Sequence, residues 1–449
     1  MRYLAALTSI LGMMVCAEAE REVDLYVSGD LLGDLEPCGC TSGQLGGLGR
    51  RVSYLRTALE AGRPALILEN GDLTAGFGAQ ERLKFDTALA ALRLCRADAV
   101  NVGERELYLK DAFWQTAARP DSPVFLSANV TRGDTALRPY LIRSFGALGV
   151  IVVGVLSPEA ARPAVLLDPN IRVEPVVPAL ERLMPKLRVE SDAVILLAQA
   201  SRSEAKQYAA LHWRVAQASR LSAVRRTTGT VALLFHAGDV EQAGEAERVG
   251  DTWVVSHGMS GRHVVKVTLR LGSRGAAPSA TVQVQPLEDS LPEAREMGEL
   301  MARYDDAMRD AGLVANWPRQ PVAGNSYVGS TACVECHKPQ YASWSRSRHV
   351  TAFETLVRRR RSHDPECVPC HTVGFGFETG YAGRAGPEGR EHVGCESCHG
   401  PGAQHAKRPG RGYGAVTSQT CQSCHTTERD PRFSFEDDTA KMGHCRKLR

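Results

Sequence analysis

Four copies of one five-residue arrangement hold most of the chemistry in this sequence: Cys333-Val-Glu-Cys336-His337, Cys367-Val-Pro-Cys370-His371, Cys395-Glu-Ser-Cys398-His399 and Cys421-Gln-Ser-Cys424-His425. Two cysteines three positions apart lie along one side of a helical turn. Both sulfurs can then reach the two vinyl groups on one porphyrin edge, and the next residue turns an imidazole toward the iron. C-x-x-C-H is accordingly the attachment signature of covalent haem c. Paired C-x-x-C also suits a zinc ribbon, and eight cysteines in an exported chain could be disulfides. Neither alternative requires histidine directly after the second cysteine. With 13 histidines in 449 residues, four such coincidences have odds on the order of one in a million. Four covalent haem c groups are the expected cofactors, with no second metal assigned.

The composition around these motifs fits that filling. Beyond Ser326 lie nine of the 13 histidines and nine of the 13 cysteines, while strand-like apolar runs almost vanish. A segment this long without an aliphatic core needs another core material, and porphyrins supply it. Short helices around each motif, joined by Gly-rich loops, are expected. Met442 is the only methionine of this tail, so at most one iron can take a His/Met pair. Outside the motifs, His349, His363, His392, His405 and His444 are available as further ligands. The basic run Arg358–Arg361 reads either as a docking patch for a redox partner protein or as propionate partners on a solvated face.

The long middle, 20–288, alternates apolar runs with amphipathic stretches. Val23–Ser28, Ala65–Leu68, Ala99–Val102, Val124–Leu126, Gly149–Leu156, Ala193–Leu197, Val231–Phe235 and Trp253–Ser256 read as buried strands. Gly49–Ala61, Ala79–Cys95 and Ser203–Leu211 read as helices between them, which argues an α/β layered sandwich. Arg262–Leu271 and Ala280–Gln285 alternate like an antiparallel pair. From Ser290 to Leu313 one apolar stripe marks a linker helix, assigned to 289–325, and the haem domain follows at 326–449. Just after the first strand, Glu36-Pro-Cys38-Gly-Cys40 precedes a Gly-rich loop. Cys38 and Cys40 read as a strained redox pair, or as a structural bridge from either one to Cys95, or as free thiols.

Residues 1–19 read as a signal peptide: Arg2, an apolar run from Tyr3 to Val15, and Ala17-Glu18-Ala19 as the cleavage site. Lipid anchoring through Cys16 is the alternative, against which Met14 and Val15 are bulky. A periplasmic location is expected, with no transmembrane span in the mature chain. A net charge of +3 gives no bias toward nucleic acid.

Two resemblances follow from particular residues. Ser28-Gly-Asp30-Leu-Leu32-Gly33, Glu69-Asn-Gly71-Asp72 and Asn101-Val-Gly103-Glu104-Arg105-Glu106 resemble the strand ends of the calcineurin-like metallophosphoesterases and 5'-nucleotidases, with Leu196–Gln199 and Phe235–Gly238 at two further family positions. That resemblance implies a two-metal site, of which Asp30, Asp72 and His236 match. Leu32, Glu104, Arg105, Gln199 and Gly238 stand where ligands are expected. Leucine cannot coordinate and Arg105 sets a fixed cation beside the metals. The expectation is a degenerate domain, with residual phosphoesterase activity as the alternative.

In the tail, Tyr327–Cys333, Trp344–His349, Gly394–Gly402 and His405 resemble the tetrahaem cytochrome c-554 family. This resemblance implies closely packed haem pairs, electron transfer, and in some relatives a haem reaction on nitrogen compounds. It also implies His349, His405 and His444 as distal ligands beside the motif ligands His337, His371, His399 and His425.

Overall fold

A computed structural model of the chain describes residues 21–37, 43–146, 148–187, 192–210, 233–236, 243–244, 246–271, 279–427 and 429–442. The first sheet is built from β1 (Arg21–Ser28), β2 (Ala65–Glu69), β3 (Ala99–Asn101) and β4 (Val124–Leu126). The second contains β5 (Tyr140–Phe145), β6 (Leu148–Leu156), β7 (Ala193–Gln199), β8 (Leu233–His236), β9 (Glu247–Val249) and β10 (Thr252–Ser256). Two late strands, β11 (His263–Leu271) and β12 (Ser279–Pro286), return to the first sheet. Strand order is β12-β11-β1-β2-β3-β4 in one and β9-β10-β8-β7-β6-β5 in the other.

Period-two alternation explains how the sheets stack. Val23, Leu25 and Val27 of β1 join Val150 and Val152 of β6 and Ile195 and Leu197 of β7 in the core between the sheets. Tyr26 of β1 belongs instead to the outer core under α1 (Leu48–Glu60) and α2 (Ala79–Leu94). On the far side, Ile151, Val153, Val194 and Leu196 pack beneath α4 (Val176–Leu187) and α5 (Arg202–Ala210). A single turn, α3 (Glu104–Leu107), follows β3. The result is four layers, helix–sheet–sheet–helix.

All eight apolar runs fall in strands, the seventh being described from Leu233 onward. His263–Leu271 and Ser279–Pro286 form the expected antiparallel pair. The helix after them, α6 (Arg295–Asp310), is no free connector: Met297, Leu300, Tyr304 and Met308 are buried in the same core as α1 and α2.

The tail is short helices and loops, among them α7 (Val368–His371), α8 (Cys395–His399), α9 (Ala403–Lys407) and α10 (Ser418–Gln422). Its aliphatic core is small: Val314, Leu356, Val368 and Tyr381. Among the described residues no helix is long and apolar enough to cross a membrane.

Candidate haem sites and the strand-end cleft

In the tail the four motifs lie in two pairs. The Cys333 thiol lies beside that of Cys395, and the Cys424 thiol beside that of Cys370. The first motif therefore neighbours the third, and the second neighbours the fourth. None of the eight cysteines forms a disulfide. Among the described residues no three His, Cys, Asp or Glu side chains converge as a metal cage.

The histidines fit a haem iron in two respects. His371 Nδ1 donates to Ala352 O at 2.7 Å, His399 Nδ1 to Gly414 O at 2.6 Å, and His425 Nδ1 to Asp430 Oδ2 at 2.9 Å. Fixing the proton on Nδ1 leaves Nε2 as the lone-pair nitrogen for a metal. Secondly, the ring centres of His405 on α9 and His337 lie 6.0 Å apart, and those of His349 and His425 lie 6.2 Å apart with the rings inclined at 65°. Two imidazoles on opposite faces of one iron, each nitrogen about 2 Å from it, hold their centres about 6 Å apart.

The remaining tail histidines are engaged differently. His392 meets Ser330 Oγ at 3.0 Å and the Trp344 ring at 5.1 Å. His363 Nδ1 lies 4.0 Å from Asp305. His444 is outside the described residues.

The sequence-marked strand ends gather at one edge of the sandwich, around a cleft of about 590 Å³ lined by Asp30, Leu32, Asp72, Glu104, Arg105 and Gln199 among others. Asp30, Leu32 and Asp72 hold positive φ (46°, 52°, 53°), a strain that side chains other than glycine seldom accept. Gly103 is obligatory, since a Cβ there would lie 2.0 Å from Asp72 Oδ1.

The groups that could take a cation are spent on one another. Gln199 Nε2 donates to Asp30 Oδ1 at 2.6 Å and to Asn70 O at 2.8 Å. Asp72 Oδ1 accepts from Arg105 N at 2.9 Å. Glu106 accepts from the backbone N–H groups of Asp72, Leu73 and Gly103. Burial raises the Asp72 carboxyl well above the carboxylate range, helped by Glu104, Glu106 and Asp30. Burial likewise raises Glu106 to about 7, against those backbone donors.

His236 is buried at the end of β8. Beside it His257, which the sequence reading passed over, is buried with Nδ1 on Gly258 O at 2.8 Å and Nε2 on Asn70 Nδ2 at 3.0 Å. Burial and the neighbouring His236 depress it to about 3. Arg51 was also missed. It is buried against Glu69 Oε2 and Ser28 Oγ, both at 2.6 Å. Cys95 is a buried thiol with Sγ on Leu92 O; Cys38, Cys40 and Gly238 lie outside the described residues.

Comparison with known proteins separates the two regions. Residues 332–400 match the family described as cytochrome c554 and c-prime. The tail carries a cytochrome c-554-type segment. Cytochrome c-554 of Nitrosomonas europaea is 36% identical over 91 residues, which is 17% of this chain and 39% of that protein. Over the sandwich, similar solved structures include two from Thermus thermophilus, the sulfate thiohydrolase SoxB (18% identity, TM-score 0.51) and a 5'-nucleotidase precursor (17%, 0.51). They cover 64% and 70% of this chain, and it spans 61% and 63% of theirs. The chain thus spans under two thirds of each of these relatives. At such identities the likeness establishes the metallophosphoesterase-like fold alone.

The c-554-type segment is bolted to that fold just ahead of its second attachment motif. Gln80 of α2 donates to Asp364 Oδ1 at 2.9 Å, and Lys84 meets Glu366. Arg361, the last of the basic run, turns inward to Glu36 and Asp364 and lies over the Tyr304 ring of α6. Arg358, Arg359 and Arg360 stay exposed.

Proposed function

We propose that this chain is an exported, periplasmic tetrahaem c-type cytochrome that transfers electrons between partner proteins. Its sandwich serves as a non-catalytic support. The observation that carries the reading is the closeness of two imidazole pairs, His337 with His405 and His425 with His349, whose ring centres lie 6.0 and 6.2 Å apart and each of which could hold one iron. Haem, when bound, supplies one-electron Fe(III)/Fe(II) chemistry. The chain's own residues would tether it through the eight motif cysteines, hold Nε2 of each motif histidine toward it, and set its neighbours.

For the sandwich, the support reading follows from chemistry. A two-metal hydrolase needs ligands free to converge on cations. Here Gln199 occupies Asp30, the Arg105 backbone occupies Asp72, and Leu32 offers no donor.

One observation favours a second reading, a haem redox enzyme acting on a small nitrogen compound or oxyanion. Among the described residues no imidazole ring faces His371 or His399. His444 and Met442 are the remaining candidate ligands, and if either is not used one iron would keep an open position.

Pyridine haemochrome analysis of protein matured in a haem-attaching host tests the main reading. Four haems per chain with reversible one-electron titrations are expected; fewer than four would overturn the tetrahaem assignment.

A further inference from the structure

We propose that Asp430 is a positioning residue that makes the His425/His349 centre the lowest in reduction potential of the set. The inference rests on the haem-binding reading above. It starts from a difference among the motif histidines: His371 and His399 donate Nδ1–H to neutral backbone carbonyls, whereas His425 donates to a carboxylate. A hydrogen bond to a full anion is roughly twice as strong as one to a neutral acceptor. It draws the Nδ1 proton away and makes Nε2 a more basic donor. A more electron-rich axial nitrogen stabilises ferric iron over ferrous, which lowers the potential.

The surroundings hold this contact. Asp430 N donates to Thr426 O at 2.8 Å and His425 N to Cys421 O at 2.9 Å, so both residues are fixed by one short turn. The Phe433 ring stacks on the imidazole at 4.8 Å. Lys441, a cation whose field reaches Asp430, is bound to Asp438 at 2.6 Å. Arg429 points instead to Cys370 Sγ at 3.7 Å. The Asp430 charge therefore acts chiefly on His425. Because Cys424 adjoins Cys370, an electron on this centre passes downhill to the second attachment, the one bolted to the sandwich.

Asp430→Asn is the direct test. It keeps the size and an acceptor oxygen but removes the charge, giving His425 a neutral partner like those of His371 and His399. In spectroelectrochemical titration of the haem-loaded full chain, the lowest-potential component should move positive by a tenfold change in its oxidised-to-reduced ratio, about 59 mV for one electron. The other components should stay in place, and Asp430→Glu should restore the parent value. An unmoved lowest component, or a common shift of all components, overturns the proposal. Haem content measured on the same samples separates the two readings: fewer than four haems in the parent sinks the cofactor assignment, while four haems with an unmoved potential sinks only the role of Asp430. Should Asp430→Asn lose haem, electron paramagnetic resonance of the parent decides. One low-spin ferric signal with a narrower g spread than the others is expected, and its absence overturns the proposal.

Discussion

Lys84, in the middle of α2, and Glu366, the residue before the first cysteine of the second motif, meet at 2.5 Å. The lysine side chain is only 5% exposed and also reaches Glu81 at 3.2 Å. One buried cation thus ties the sandwich to the base of a haem attachment site. With Gln80–Asp364 and Arg361–Glu36 beside it, the contact fixes where that haem sits relative to the sandwich.

Removing the cation should loosen the union. Lys84→Met leaves Glu81 and Glu366 near each other without the cation between them, at a cost of about 1–3 kcal/mol. Thermal unfolding followed at the haem band and in the far ultraviolet should separate into two transitions. A double-mutant cycle with Glu366→Gln should give a coupling of about 1 kcal/mol; strictly additive effects would mean that the contact does not join the two regions.

The sandwich should show no phosphoesterase activity of its own. Leu32 offers no donor atom, Gln199 hydrogen-bonds Asp30, and the Arg105 backbone hydrogen-bonds Asp72. Purified protein supplied with manganese should hydrolyse nucleotide or aryl phosphates no faster than Asp72→Ala. Turnover that depends on Asp72 would restore the residual-enzyme alternative.

Much of this was legible in the sequence, and the illegible parts share a cause. Strand alternation such as Val23-Asp-Leu25-Tyr-Val27 depends on local chemistry, so the layers could be read directly. The C-x-x-C-H motifs are likewise local. His257 and Arg51 gave no local signal. Their roles come from Asn70, Glu69 and Ser28 on neighbouring strands, partners that only the sheet order brings within reach. Arg361 looked like its three exposed neighbours until folding brought Glu36 and Asp364 beside it. The stretch holding α6 read as a connector because its apolar stripe does not name what it packs against. The positive φ at Asp30 and Asp72 was likewise illegible, because neither residue type announces a left-handed backbone.

Two buried groups in the strand-end network should make stability depend on pH in opposite senses. His257, held to about 3, stays neutral when folded but protonates below about 6.5 when unfolded. Its contribution, complete above 6.5, is lost as pH falls toward 3, at about 1.4 kcal/mol per unit. Glu106, raised from 4.5 to about 7, keeps its proton longer when folded. Its contribution, complete below 4.5, is lost as pH rises through 7. Between pH 4.5 and 6.5 these two slopes oppose each other, with Asp72, also raised by burial, acting in the Glu106 sense. Glu106→Gln should remove one opposing slope, so that urea midpoints fall more steeply than in the parent as pH drops from 6.5 to 4.5. An unchanged pH profile in that variant would refute the opposition.

The distal ligands give the last prediction. His349 and His405 face motif histidines at 6.2 and 6.0 Å, whereas His363 lies by Asp305 and His392 by Ser330 and Trp344. Replacing His349 or His405 with alanine should each convert one low-spin ferric haem to high spin, because one ligand nitrogen is lost and, among the described residues, no other imidazole is paired with His425 or His337. Each variant should also gain one site that binds cyanide or nitric oxide. His363→Ala and His392→Ala should leave the spin states as they are. Electron paramagnetic resonance of the oxidised protein reads all four variants. A high-spin signal already present in the parent, shifting with added ligand, would mark the open iron that haem catalysis requires. Unchanged spin states in both His349→Ala and His405→Ala would mean that the facing imidazoles do not share an iron.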